Sequence, residues 1–405
     1  MKPGPDGLRR AEAVFLQLVR GQPGPKGWPV EGAAEWEGAL ALARAHGVAP
    51  LLHAWAMGEA GSGSGSARPG ERRAPIAGAT ASLRGLRPAD GGALPLPERC
   101  VRQLQRARGA ELLTEPRREA ALGRAVAALA GPPGAQPIPT LLLKGAASAR
   151  TLYAAPELRP RGDLDLLVSP ARFAEALARF ENAGYRHHPK VLGTPEATAG
   201  WHERTLLDPA DPSCVLDLHQ ELLQTERQGL RADGLLARSR PAPGLGGHAR
   251  LPTSEDALLS CVVSLGAHEL RSPLVVACDL ALLLDRCEPE VVAQRAAEAR
   301  VERMLWLALA WLGRLSGEDG AEHALCGLPV DRQRLAALSE SVGLASPIRA
   351  ALRSVAARYA LQRQALSRAE QLLRKGLLID RPWDAVRFAS ATLQRGLRAR
   401  FKLVR

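Results

Sequence analysis

An α+β fold is predicted: a small mixed β-sheet core with flanking helices and a mostly helical C-terminal domain. Three observations predict it. First, residues 140–168 read as strand, glycine turn, short helix, loop and strand, with an apolar run opened by Thr140 and ended at Gly145. Second, Trp201 to Leu207 and Cys214 to His219 read as two strands around the turn formers Asp208-Pro-Ala-Asp-Pro-Ser213. Third, beyond Ser254 apolar residues recur at helical spacing almost to the end of the chain.

In chain order, residues 8–20 and 34–57 carry helical periodicity, and Gly47 separates two helices in the second stretch. Residues 58–96, with Gly-Ser-Gly-Ser-Gly-Ser and then Arg68-Pro-Gly-Glu-Arg-Arg, offer no face to bury and are expected to be a flexible insert. A long charged helix should run from about Glu98 to Ala130 and end at Gly131-Pro-Pro-Gly. After the strand closing at Val168, Ser169 is a cap with Pro170 at the first helical position, and that helix should reach Asn182. Tyr185 to His188 start another strand. Helices are expected over roughly 255–268, 273–286, 289–315, 331–340, 347–375 and 382–400. The expected organisation is a helical segment at 1–57, the insert at 58–96, the sheet core at 98–250 and a helical domain at 251–405.

Aromatic residues make up only 4% of the 405 positions, so the core must be built from Leu, Ala and Val, which suits helices. The formal charge is +12, with six lysines against 48 arginines. The arginines are spread through the chain rather than clustered, so compositional bias is favoured over nucleic-acid binding as the reason for the charge. The basic end, Arg395 to Arg405, is the exception, and it reads equally as a solvated last helical turn. Six cysteines show no CxxC pair and several sit in apolar runs, which suits a reducing compartment. Met1-Lys-Pro-Gly-Pro-Asp has no apolar signal region, and no stretch approaches the roughly 18 apolar residues of a membrane span. A cytoplasmic location is expected.

The chemistry concentrates on Asp163-Leu-Asp165. Side chains alternate along a strand, so both carboxylates point to one face, about 7 Å apart, close enough to share a hard cation. In Val215-Leu-Asp217-Leu-His219 the same alternation sets Asp217 and His219 together, and Asp217 is the candidate third acid. A polar outward face of a half-buried strand is the plainer reading of that pattern. Phosphatases of the haloacid dehalogenase type need a loop where Leu167 continues the strand. Sugar-nucleotide glycosyltransferases need a nucleotide-binding fold that the upstream helices do not supply.

The order Leu143-Lys144-Gly145, Arg159-Pro-Arg-Gly162-Asp163-Leu-Asp165-Leu-Leu-Val168, Gly184-Tyr185 and Leu216-Asp217-Leu-His219 resembles the bacterial uncharacterised nucleotidyltransferase family, of the DNA polymerase β-like superfamily. The resemblance extends to His46-Gly-Val-Ala-Pro-Leu-Leu and to the helix that carries Asp279. It implies a Mg²⁺-dependent (or Mn²⁺-dependent) transfer of a nucleoside monophosphate from an NTP, expected to be ATP, to a hydroxyl acceptor of unknown identity. It makes Asp163, Asp165 and Asp217 both the catalytic and the metal-holding residues. It assigns Lys144, Gly145, Arg159, Arg161 and His219 to nucleotide binding. Gly145 would let the backbone approach phosphate oxygens, with a helix N-terminus beyond it. Plainer readings stand beside each: a strand-end lysine, loop arginines, a strand histidine satisfied by a neighbour. Ala146 stands where the superfamily has a serine, so a phosphate-binding hydroxyl is missing there. That departure keeps a second reading open, a non-catalytic nucleotide-binding or protein-interaction module that retains the fold. Asp279, in the apolar run Val275 to Leu284, is expected to be paired with His268 or Arg271.

Overall fold

The structure, a computed structural model, describes residues 34–57, 96–188, 202–223, 227–267, 273–316, 331–359, 375–381 and 383–388, together with 14, 390 and 392. The expected helix at 8–20 (bar residue 14), nearly all of the insert at 58–96, the stretch 360–374, the basic end at 395–405, and His268 and Arg271 lie outside the described residues.

Seven strands form one mixed sheet: β1 (Thr140–Leu142), β2 (Asp163–Leu167), β3 (Arg186–His187), β4 (Glu203–Leu207), β5 (Val215–His219), β6 (Arg240–Pro241) and β7 (Ala249–Leu251). Their order across the sheet is β3-β4-β5-β2-β1-β7-β6. The expected strands at 140–168, 185–188, 201–207 and 214–219 all form and occupy five adjacent places. The short β6 and β7 were not expected; β7 pairs in parallel with β1, Thr140 against Ala249.

Alternation sorts the sheet into two faces. Leu164 and Leu166 of β2, and Val168 just after it, join Leu142, Leu206, Leu216 and Leu218 in one buried cluster. That cluster is covered by α3 (Glu98–Ala130), which supplies Leu122, Val126 and Leu129, and by α5 (Phe173–Asn182), which supplies Phe173 and Phe180. The opposite face carries Leu141 and Leu167, and these belong to a second cluster. It draws on α1 (Ala34–Ala45) and α2 (Ala49–Ala56), separated by Gly47 at φ +69° as the turn requires. It also takes in α7 (Ser254–Ala267), α8 (Leu274–Leu284), α9 (Pro289–Glu298) and α10 (Glu302–Ser316). Further helices are α4 (Lys144–Thr151), α6 (Ala232–Arg238), α11 (Arg332–Ser341) and α12 (Ser346–Tyr359). Among the described residues no helix is long and apolar enough to cross a membrane.

The single helix expected over 289–315 is two. It breaks at Arg300, which takes a left-handed backbone at φ +55°. The Gly229 amide donates to Ala299 O at 2.5 Å, and the Asp380 carboxylate caps the new start by accepting from the amides of Glu302 and Arg303 at 2.8 and 3.0 Å. No Gly or Pro marks the break. Its partners come from elsewhere in the chain.

Candidate active site

β1 and β2 are antiparallel, and the Leu143 amide still donates to Asp165 O at 3.0 Å beyond the last strand pair. The chain then turns sharply into α4, with the amides of Ala146 and Ala147 donating back to Leu143 O. Lys144 makes that turn with φ +43°, a left-handed conformation in a residue with a side chain. Its ammonium reaches across to Asp165 Oδ1 at 2.6 Å.

β2 and β5 run in parallel with Asp165 directly beside Asp217, so the two acids share a face. β4 continues that face, setting Thr205 against Asp217 and Glu203 against His219. A polar stripe thus crosses three strands: Asp163 and Asp165, then Asp217 and His219, then Thr205 and Glu203. His219 Nε2 donates to Asp165 Oδ1 at 2.9 Å, and its Nδ1 lies 3.4 Å from Glu203 Oε2. Both Asp165 and His219 are only 1% exposed. His219 therefore sits within the sheet between Asp165 and Glu203.

The acids differ electrically. Burial would raise the Asp165 pKa, but Lys144 and then His219 outweigh it and hold the carboxyl well below its usual range. The Lys144 ammonium, disfavoured by burial, is held charged by Asp165 and pushed above the ordinary lysine range. Asp163 is exposed by area, yet its carboxyl is crowded by protein atoms. That desolvation, then the neighbouring Asp165, pushes it up to about 6. Asp217 is also raised, first by burial, with the Thr205 side chain opposing and Asp165 adding to it.

A cavity of about 420 Å³ opens beside Asp163 and Asp165. Lys144, Gly145, Arg159 and Arg161 line it on the core side, and Gly47, Ser264, Pro273 and Val275 on the helical side. Asp217 and His219 do not line it; they adjoin Asp165, Asp217 as its neighbour on β5 and His219 through its hydrogen bond.

The two loop arginines are not equivalent. Arg159 is buried, its Nε and Nη2 donating to Asp279 at 3.0 and 2.6 Å and its Nη1 to Pro160 O, so all three guanidinium nitrogens are engaged. Tyr153 OH donates to the same Asp279 at 2.8 Å. Asp279 thus finds its partners in Arg159 and Tyr153. Arg161 Nη2 donates to Glu115 and Glu119, while its Nε and Nη1 are buried with no hydrogen-bond partner. Gly145 is pressed by this loop: a Cβ there would lie 3.0 Å from Arg161 Cβ and 3.1 Å from Arg159 Nη1. Close approach of its own chain is thus a reason for glycine independent of any phosphate.

Sequence reasoning missed Glu203 and the Glu115–Glu119 pair. Alternation in Glu203-Arg-Thr205 carried the first signal; the helix that carries Glu115 and Glu119 gave none, since charged helix faces are ordinarily solvated.

For a divalent cation the donors fit in kind. Asp163, Asp165 and Asp217 present hard oxygens on one face, and Asp217 Oδ1 is buried without a hydrogen-bond partner, an oxygen of the sort a cation satisfies. They are not drawn into a cage: among the described residues no group of three or more His, Cys, Asp or Glu is arranged to hold a metal ion. No curated protein and no solved structure matches the chain. Residues 32–317 match the family described as uncharacterised nucleotidyltransferase, and with most of its length so covered the chain belongs to that family.

Proposed function

We propose that the protein transfers a nucleoside monophosphate from an NTP, ATP in the first instance, to a hydroxyl acceptor, with Mg²⁺ or Mn²⁺ bound by Asp163, Asp165 and Asp217. The observation that carries this reading is the placement of Asp165 beside Asp217 on one sheet face, with Asp163 at the rim of a cavity, in a member of a nucleotidyltransferase family. Bound there, a divalent cation would supply Lewis-acid neutralisation of the phosphates and of the departing pyrophosphate.

The chain's own residues do the rest. Asp163, at the cavity rim, faces the reacting groups. His219 and the β-ladder fix Asp165 so that its free rotation is lost before substrate arrives. Lys144 offers a compact positive charge to phosphate oxygens, and the unpartnered Nε and Nη1 of Arg161 are donors for the same anion. Arg159 takes a different part: with each guanidinium nitrogen bonded to Asp279 or Pro160 O, it holds the loop on which Gly162 and Asp163 follow.

Purified protein incubated with labelled NTPs, Mg²⁺ or Mn²⁺ and cell extract as acceptor source should transfer label. Asp163→Asn and Asp217→Asn should each slow the transfer by about a hundredfold or more, because several kcal/mol of charge stabilisation is removed. Label transfer that survives both substitutions would sink the assignment, and its absence in wild type with every NTP would favour the binding-module reading.

A further inference from the structure

We propose that Lys144 is a built-in counter-ion that occupies the cation position of the acid cluster, and that a nucleotide's phosphates draw it off, so that nucleotide and divalent cation bind cooperatively. This rests on the proposed function and concerns how its site is armed. The Lys144 ammonium lies 2.6 Å from Asp165 Oδ1, and His219 donates to that same oxygen from the other side. An oxygen carrying two such donors has little left for a metal. Next to it, Asp217 Oδ1 is buried with no hydrogen-bond partner. The cluster therefore holds one carboxylate oxygen with two donors, Asp165 Oδ1, and one with none, Asp217 Oδ1.

The two donors on Asp165 differ in freedom. His219 is fixed in the sheet and 1% exposed. Lys144 lines the cavity, its side chain is 29% exposed, and four single bonds let its ammonium swing. Its left-handed backbone, φ +43°, is a strained conformation of the kind that persists where the surroundings impose it, often at ligand clamps. Lysine, as a point charge, can exchange a carboxylate for a phosphate without the geometric match that a guanidinium fork demands. Once Lys144 leaves, Asp165 Oδ1 is open to the cavity that Asp163 also lines, on the sheet face it shares with Asp217. Linkage then makes the effect reciprocal: whatever factor the nucleotide adds to cation affinity, the cation adds to nucleotide affinity.

The test uses Mn²⁺ alone, without nucleotide, on the full chain. Affinity is read by electron paramagnetic resonance of free Mn²⁺, and the Mn²⁺-induced shift of melting temperature serves as a second readout. Lys144→Met and Lys144→Gln should bind Mn²⁺ at least about tenfold more tightly than wild type, the charge that competes for Asp165 having gone. Both should melt lower than wild type without metal and gain more from Mn²⁺. If either variant folds only when Mn²⁺ is present, that also supports the proposal. Affinity equal to or below that of wild type in both variants overturns it while leaving the nucleotidyltransferase reading intact. No Mn²⁺ binding by any of the three proteins, with or without a non-hydrolysable NTP analogue, overturns both.

Discussion

Asp165 and Asp217 stand side by side, and their stabilities under substitution should be opposite. Asp165 accepts from Lys144 and His219, so Asp165→Asn strips a buried ion pair of its negative member and should destabilise the metal-free protein by about 1.5–3 kcal/mol, the range for hydrogen bonds to charged groups. The partial exposure of Lys144 keeps the loss below that of a fully enclosed pair. Asp217 carries a buried oxygen with no partner and a carboxyl whose pKa burial raises, so Asp217→Asn should hold or increase the melting temperature. Thermal melts of the two variants side by side check this; a larger drop for Asp217→Asn would contradict it. Gly145→Ala forces a Cβ to within 3.0 Å of Arg161 Cβ, and should cost about 1–3 kcal/mol in denaturant unfolding. The sequence made Gly145 visible as a turn glycine. It could not show the arginine loop folded down on it, because that contact lies outside any local pattern.

At the scale of elements, what was legible followed from period. Strand alternation in Asp163-Leu-Asp165 and Leu216-Asp217-Leu placed the acids on the polar face before any pairing was known, and β2 and β5 then align Asp165 with Asp217. Pairing across long separations was not legible: the break at Arg300 is made by Gly229 and Asp380, and β7 is three residues long. The same applies to α8. An apolar helix containing Asp279 announces that a partner is needed, but Arg159 lies 120 positions earlier in the chain. That pair joins α8 to the loop before β2, with Tyr153 as its third member. Asp279→Ala should therefore destabilise by about 3–5 kcal/mol, since it leaves a buried guanidinium unpaired. Arg159→Met combined with Asp279→Leu should recover much of that, because an apolar pair of similar volume has no charge to desolvate. A chemical-denaturation cycle on the single and double variants reads the coupling, and strictly additive losses would refute a direct ion pair.

The whole molecule is held by a cluster that ignores chain order. Trp36, Leu40, Leu51 and Leu52 of the N-terminal helices are buried in the same cluster as Leu141 and Leu167 of the sheet and Leu280, Leu305 and Trp311 of the C-terminal helices. Backbone bonds reinforce this. His46 O accepts from the Val275 amide at 3.1 Å and His46 Nδ1 from the Leu274 amide at 3.3 Å, so the N-terminal segment satisfies the first turn of α8. Residues 58–95 interrupt this arrangement in sequence, and their Gly/Ser/Pro-rich composition offers no apolar face to contribute. α2 before them and α3 after them pack against each other. Replacing 58–95 with a short Gly/Ser linker should therefore leave the melting temperature within a few degrees, since loop length enters closure entropy only logarithmically. Deleting 1–95 outright should not be tolerated. It removes four large buried side chains, each worth about 1.5–3 kcal/mol of burial, and uncaps α8 beside the wall of the candidate site. Soluble, cooperatively melting protein from the deletion, together with loss of folding in the linker replacement, would reverse the assignment of which segment the fold depends on.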